Sequence, residues 1–464
     1  MSDRYSRMFA AYAAASDWKL SSESAHEVKR RILDSIGVAT AALDEAAPTA
    51  ARRYAEFFLD PVGAAIWGTK LRANPEIAGF VNAVAVRSLD FNDTYLSLEP
   101  LHPSDVIPAL VALAEVRDSS PEELMAAIAV AYEIPVTLCD VASLRAHGWD
   151  HVNYIAIGVA CGAGRLLGLP PETIEHAISI ATIPHASMRQ TRAGELSMWK
   201  GAAAANSARN GTFSALIAEA GMTGPFEPFE GEMGFGRQLL EGEGFGEGGL
   251  APIGAGEPPR RILDTYIKGW PVEYHAQSAV DAALQLRSEL GGDPDRIAEI
   301  RIDTFKASFE IIAKDPEKWD PKTRETADHS LPYIVCAALQ DGEVNMGTFV
   351  LDRIRRPDTL ELLRDHVTLE EDPELTEGYP QGIPNRIAVT TREGETLVRE
   401  VRFPRGHARN PMTDEEVTRK FRSCVDGRWS SERADLVAEL VWNLEDADTL
   451  THLTSALQKE GAER

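Results

Sequence analysis

The chain of 464 residues is predicted to be mainly α with an α+β insert, and three observations lead there. Apolar residues recur at helical spacing from the start to about residue 225, and period-two alternation appears only beyond residue 290. Helical periodicity then returns after Pro411. A large all-helical domain made from both chain ends, residues 1–266 and 409–464, with a smaller α+β lid domain at 267–408 between them, is the simplest architecture that accommodates all three.

The elements follow in order. Val28, Ile32, Leu33, Ile36 and Ala39 are spaced by three and four, the stripe of a helix with one buried face. Small and apolar residues make a helix from Ile77 to Val86, and Val106, Ile107, Leu110 and Leu113 form the stripe of another that begins at Ser104. Ser120-Pro121-Glu122-Glu123 is a capping-box start with proline in the first turn, and Pro171-Glu172-Thr173 opens a helix in the same way. The segment 201–220, rich in alanine, serine and glycine, allows close helix approach and belongs in the middle of a bundle. Residues 226–259 hold ten of the 35 glycines with seven glutamates and one arginine, the composition of a long loop or linker. Inside it Gly244 to Gly249 matches the dinucleotide spacing G-x-G-x-x-G, but no hydrophobic strand precedes it and acidic side chains would face a pyrophosphate.

In the insert, Ile300, Ile302 and Thr304 alternate with Glu299, Arg301 and Asp303 as a half-buried strand does. Arg386–Thr391 and Thr396–Phe403 pair around a turn at 392–395, and the helix Ser330–Leu339 is expected to pack on that sheet. Thr413-Asp-Glu-Glu416 is another capping box, after which helical periodicity continues to about Leu457.

Composition removes several function classes. With 47 Lys+Arg against 72 Asp+Glu the formal charge is −25, which repels nucleic acid and anionic membrane surfaces. The first twenty residues carry Asp3, Arg4, Arg7, Asp17 and Lys19 without an apolar run, unlike a signal peptide, and no membrane-spanning stretch is expected. Cys139, Cys161, Cys336 and Cys424 lie far apart, so free thiols in a reducing cytoplasm are expected, with no metal or cluster ligand set.

The densest polar cluster in apolar context is Asp90-Phe-Asn-Asp93-Thr94 followed by His102-Pro-Ser104-Asp105, on a loop between two packed helices where function tends to be placed. Ser104 or Asp105 also serves as a simple helix cap and Asp93 as a turn former. A histidine just ahead of a helix N-terminus is held toward its neutral form, which suits a proton acceptor. Further islands are Gly148-Trp-Asp-His151, Arg189 to Arg192 with Met198-Trp-Lys200, Lys268 to Gln277, and Asp328-His329-Ser330-Leu-Pro-Tyr333. A cap, a core histidine or a surface lysine explains each of them equally well in isolation.

Together with Trp199-Lys200-Gly-Ala-Ala-Ala-Ala-Asn, Trp270-Pro-Val-Glu-Tyr-His275-Ala-Gln277 and Pro404-Arg-Gly-His, these islands run in order through essentially the whole chain, and in that order they resemble the MmgE/PrpD family. The resemblance implies an all-helical domain with an α+β lid, a site in the cleft, a homodimer and no cofactor or metal. The branch most resembled dehydrates 2-methylcitrate, with citrate as a further substrate, to 2-methyl-cis-aconitate in the 2-methylcitrate cycle of propionate catabolism; other branches decarboxylate cis-aconitate or epimerise polycarboxylates. Carried over position by position, the site residues fall on Asp90, Thr94, His102, His151, Lys200, Lys268 and Tyr333. Where the decarboxylase branch has a site histidine this chain has Gln277, with His275 two residues earlier, a form that resembles the dehydratase branch.

That chemistry takes a proton from a carbon beside a carboxylate and expels hydroxide from the next carbon. Fixed cations must neutralise the carboxylates as charge develops, the role expected of Lys200, Lys268 and Arg192. His102, oriented by Asp90 or Thr94, is the expected proton carrier, with Tyr333 or His151 as the other. Arg192, His275 and Gln277 are expected to bind the substrate, a small polycarboxylate.

Overall fold

The protein is mainly α-helical with a small mixed sheet. The computed structural model describes residues 3–194, 196–245, 253 and 256–458. It comprises two compact units. The first takes in the described residues up to Gly194, Met198–Thr265 and those from Thr413 onward; the second is Tyr266–Met412 with residues 196–197.

The first unit is a helical assembly whose inner members are Pro75–Ser88, Ile107–Arg117, Pro121–Val141, Val152–Leu166 and Trp199–Glu219. Small residues set its packing distances. A Cβ added at Gly211 would sit 2.7 Å from the Ala156 carbonyl oxygen, and one at Gly162 2.8 Å from that of Ala127. The capping boxes at Ser120 and Thr413 both form with the expected Glu123 and Glu416. The helix Asp414–Val425 returns to pack on Ser22–Ala41, with Phe421 against Gly37. Pro121–Val141, contrary to expectation, is long and apolar enough to cross a membrane by length and composition; 83% of that span is buried inside the protein, as in a core helix.

Two parts of this unit depart from the sequence reading. Leu59–Ala65 and Arg72–Ala73 pair as a short antiparallel hairpin inside the stretch read as helical; Leu59 and Val62 are exposed, so no one-sided alternation marks it. The glycine-rich segment is not a free linker in its first half. Phe229 and Phe245 are buried against Tyr5, with ring centroids 4.8 Å apart for Tyr5 and Phe245, Phe229 also meets Phe9, and Phe235 is buried against Phe229 and Phe245; Asp3 accepts hydrogen bonds from the Phe229 and Glu230 amides, each at 2.7 Å. Of the G-x-G-x-x-G match, residues 246–249 lie outside the described residues.

The second unit is built on a four-stranded sheet in the order Val367–Glu371, Ile297–Thr304, Asn385–Thr391, Thr396–Val401. Ile297–Thr304 runs parallel to the first neighbour and antiparallel to the second, where Ile302 faces Ile387. The helix on the sheet is Gln277–Glu289, whose Ala279, Ala282, Ala283 and Leu286 are fully buried; Leu331–Asp341 packs on that helix rather than on the sheet as expected. The small side chains of 277–289 let it lie close to the strands, so the bulkier helix forms the outer layer.

Candidate active site

The loop between Pro75–Ser88 and Ile107–Arg117 is closed by an antiparallel bridge of Tyr95 with Leu101, and its polar residues turn inward. Asp90 adopts a left-handed backbone (φ 51°), a conformation aspartate tolerates at some cost. Its carboxylate is buried and ion-paired with Arg87; Lys200 Nζ lies 3.3 Å from Oδ2 and His102 Nε2 3.8 Å from Oδ1. His102 Nδ1 is 2.8 Å from the Asp93 carbonyl oxygen. A carbonyl only accepts, so Nδ1 carries a proton and Nε2 is the nitrogen on the Asp90 side.

Asp93 holds this arrangement from beneath. Its Oδ1 accepts from the Ser104 amide at 2.8 Å, its Oδ2 from the Tyr132 hydroxyl at 2.8 Å, and Arg31 Nε lies 3.5 Å away. Burial nevertheless pushes its carboxyl above the ordinary range. Burial, outweighing the pull of Arg87, also lifts Asp105 to about 7; its Oδ1 accepts from Asn92 Nδ2 at 3.2 Å. Thr94 Oγ1 donates to the Leu101 carbonyl at 3.0 Å, tying the loop beside His102.

His151 caps the helix Val152–Leu166, its ring centroid 5.9 Å from that of His102. Burial, then the charge of Arg192, drives its pKa down to about 3, so the ring is neutral. Asp150 Oδ1 lies 3.4 Å from His151 Nδ1, and Arg192 Nε donates to both Asp150 oxygens at 3.1 and 3.0 Å. Burial raises the Asp150 carboxyl, but Arg192 and then His151 outweigh it and leave it below its ordinary value. Among the described residues Arg192 Nη2 and His151 Nε2 are buried with no hydrogen-bond partner. Six expected residues, Asp90, Thr94, His102, His151, Arg192 and Lys200, thus lie in one linked set within the first unit.

The other four are in the second unit. Lys268 is almost fully buried and, after His275 and His329, contributes to holding Glu273 ionised. His275 donates from its backbone amide to Glu273 Oε2 at 2.8 Å and from Nδ1 to Oε1 at 2.7 Å. Burial raises Glu273, yet His275, then His329 and Lys268, outweigh it and bring it to about 2. Beside it His329 Nδ1 donates to Asp328 at 2.5 Å. The Gln277 side chain is occupied by backbone: Oε1 accepts from the Gly269 and Trp270 amides, and Nε2 donates to the Trp270 and Val272 carbonyls. Tyr333 lies in the apolar core and donates its hydroxyl proton to the Thr348 carbonyl at 2.6 Å.

Arg87, Asp150 and Glu273 were not singled out from sequence. Asp150 and Glu273 stood within islands already noticed, one and two residues before a histidine, and that adjacency was the available signal. Arg87 reads as an ordinary last-turn cation of its helix. Among the described residues no group of three or more His, Cys, Asp or Glu is placed to hold a metal ion. A cavity of about 620 Å³ elsewhere in the first unit, lined by Trp18, Met125 and Arg165 among others, contains none of the candidate residues.

Comparison with known proteins identifies the lineage. The MmgE/PrpD N-terminal domain matches residues 7–247 and the MmgE/PrpD C-terminal domain residues 270–446. The chain belongs to the MmgE/PrpD family. Within that family it is similar to the 2-methylcitrate dehydratase of Cupriavidus necator, 31% identical over 75% of this chain and 74% of the relative, and to that of Escherichia coli, 28% identical over the same shares. It is likewise similar to the human cis-aconitate decarboxylase, 28% identical over 93% of this chain and 89% of the relative.

Proposed function

We propose that this MmgE/PrpD protein is a cytoplasmic, homodimeric lyase that dehydrates 2-methylcitrate, and with it citrate, to the cis-aconitate-type alkene. One observation supports this reading above the others. Two basic side chains, Lys200 beside Asp90 and Arg192 held through Nε by Asp150, share one buried network with the imidazoles of His102 and His151, and Arg192 Nη2 is buried there with no hydrogen-bond partner among the described residues. Fixed buried cations beside imidazoles are what a tricarboxylate needs.

In this proposal Arg192, Lys200 and Lys268 neutralise substrate carboxylates as charge builds on the neighbouring carbon. His102 Nε2, the nitrogen on the Asp90 side, removes the carbon-bound proton, while Asp90 and the Asp93 carbonyl hold the ring. The C–H electron pair becomes the new C=C bond and the C–O bond breaks. His151 shapes the floor as a neutral partner, and Thr94 fixes the loop. Gln277 and Tyr333 act by position, Gln277 bracing the chain after Lys268 and Tyr333 anchoring its helix. The reaction asks nothing of a metal or cofactor in this scheme.

A decarboxylase reading has the 93% coverage by the human relative in its favour. Purified protein incubated with 2-methylcitrate, citrate, isocitrate and cis-aconitate, with products identified, separates the two. Water loss to a conjugated enoate supports the proposal; carbon dioxide from cis-aconitate, or an isomer of unchanged composition, overturns it.

A further inference from the structure

Asp90, Asp93 and Asp105 all turn inward around one loop of the first unit, and the first two have cations of their own: Asp90 pairs with Arg87 and Lys200, Asp93 with Arg31. Asp105 differs. It stands in the turn 103–106, fully buried, with its amide donating to the His102 carbonyl at 3.1 Å. Among the described residues it makes no ion pair, and its one side-chain hydrogen bond comes from Asn92 Nδ2 to Oδ1 at 3.2 Å. Oδ2 is buried without a partner there, and so is Asn92 Oδ1. Two unsatisfied acceptors on groups that already share a hydrogen bond are costly. A proton on Asp105 turns one of these acceptors into a donor and removes an unpaired buried charge in the same step.

The charges around Asp105 belong to several elements. Burial is the largest influence and raises its carboxyl; Arg87 and Arg192 pull it down, while Asp93 and Asp90 oppose them. Tyr132, on the helix 121–141, also feels its charge and has its hydroxyl proton on Asp93. Of the other groups on elements packed against the turn, Arg31 and Lys200 are held by Asp93 and Asp90, and His151 is neutral. The ionised form of Asp105 thus leans on two cations that it does not touch, and one of them, Arg192, is a cation assigned to the substrate.

Resting on the lyase reading above, we propose that Asp105 takes up a proton from solvent when a polycarboxylate binds beside Arg192, so that substrate affinity is linked to this one buried carboxyl. Substrate carboxylates cancel the field of Arg192 at Asp105 and add negative charge to a poorly screened interior, and both effects favour the protonated acid. The neutral acid in turn leaves the fields of Arg87 and Arg192 to the substrate. Below about pH 7 the carboxyl already holds its proton and binding needs none; above that the ionised form opposes the substrate, and affinity falls as pH rises. Asp105 is therefore a positioning residue, acting on the substrate through Arg192.

Tricarballylate is the probe, because it is a tricarboxylate without the hydroxyl that dehydration expels and so binds without turnover. Calorimetric titration of the whole protein at about pH 7.5, in buffers of different ionisation enthalpy, should show about 0.5–0.8 proton taken up per ligand in wild type and about 0.5 proton less in Asp105→Asn. At about pH 6 the two proteins should differ by less than about 0.2 proton, since Asp105 is already protonated there. In turnover, kcat/KM should fall about tenfold per pH unit above about pH 7 in wild type, and Asp105→Asn should move that fall up by at least about one pH unit, which a merely structural role would not do. A wild-type uptake below about 0.2 proton, or equal uptake in wild type and Asp105→Asn, overturns the proposal. So does a failure of tricarballylate to bind, which removes the anion site the linkage needs. If Asp105→Asn does not fold, infrared difference spectra of wild type with ¹³C-carboxyl tricarballylate decide: a new band of a protonated protein carboxyl on binding supports the proposal, and its absence overturns it. Proton uptake on tricarballylate with no turnover of any substrate sinks the lyase reading and not the linkage.

Discussion

Replacing His102 with alanine separates the chemical role proposed for this ring from its structural one. The ring donates from Nδ1 to the Asp93 carbonyl at 2.8 Å, and its side chain is 12% exposed. Deleting that bond costs about 1 kcal/mol, and leaving the carbonyl without its donor adds about 1–3 kcal/mol. A chain of this size with an extensive helical core should remain folded, with the far-ultraviolet spectrum unchanged and a modest shift in the urea midpoint. Loss of a positioned base, in contrast, lowers the rate about 10²–10⁴-fold, which at 1.36 kcal/mol per decade is about 3–5 kcal/mol of transition-state stabilisation. The assay is initial-rate formation of the conjugated enoate by ultraviolet absorbance, with substrate saturation to extract kcat. His102→Ala that folds and keeps more than a tenth of the wild-type kcat would refute the assignment of His102 as base.

Three further outcomes are expected. Glu99 is buried, accepts from the Arg145 amide at 2.9 Å and the Ser143 hydroxyl at 3.0 Å, and is raised by burial from 4.5 to about 7; the folded state therefore binds its proton more tightly than the unfolded chain, so its contribution to stability is full below about pH 4.5 and fades as pH rises through about 7. The gap corresponds to about 3 kcal/mol, and the stability difference between wild type and Glu99→Gln should change by that order between pH 4.5 and 7.5 in urea titrations, a flat difference counting against it. Gly211→Ala puts a methyl 2.7 Å from the Ala156 carbonyl and from Val159 and should destabilise by about 1–3 kcal/mol in the same assay, whereas an unchanged midpoint would show that the two helices separate freely. Prolonged chelation followed by metal analysis should leave lyase activity unaltered; a loss restored by adding back a divalent ion contradicts the cofactor-free scheme.

The parts of the fold legible in sequence are those in which one local signal decides. Ser120, Thr413 and the prolines at 121 and 171 mark helix starts because the caps are formed by residues three apart, and all of these starts are present. The strand Ile297–Thr304 is legible because Ile300 and Ile302 are buried while Glu299 and Arg301, alternating with them, are exposed. Val367–Glu371 is not: it is an edge strand with only Val367 buried, and its four acids between 370 and 374 resemble a solvated charge run. For the candidate site, histidines and lysines stand out by type, but their carboxylate partners do not, since Asp150 and Glu273 look like ordinary surface acids until burial is known. Gln277 shows the opposite failure, a polar residue singled out for ligand binding whose four hydrogen bonds all go to the backbone.

The placement of the C-terminal segment has a chemical reason as well as a packing one. Lys420, on Asp414–Val425, sits 2.6 Å from Asp34 and donates to the Phe91 carbonyl at 2.8 Å, with its ammonium 3.8 Å from the centre of the Phe91 ring. Phe91 follows Asp90, whose left-handed backbone is held at a cost of about 1–3 kcal/mol. The same loop is gripped by Arg31 and Tyr132 at Asp93 and by Lys200 at Asp90, so helices from the start, middle and end of the first unit each fix one of its groups. A strained residue persists only where its surroundings over-determine it, and here Lys420 supplies a constraint from more than three hundred residues away. The return helix therefore belongs to the support of the Asp90–His102 pair, which is why a chain with net charge −25 still concentrates buried cations around this one loop.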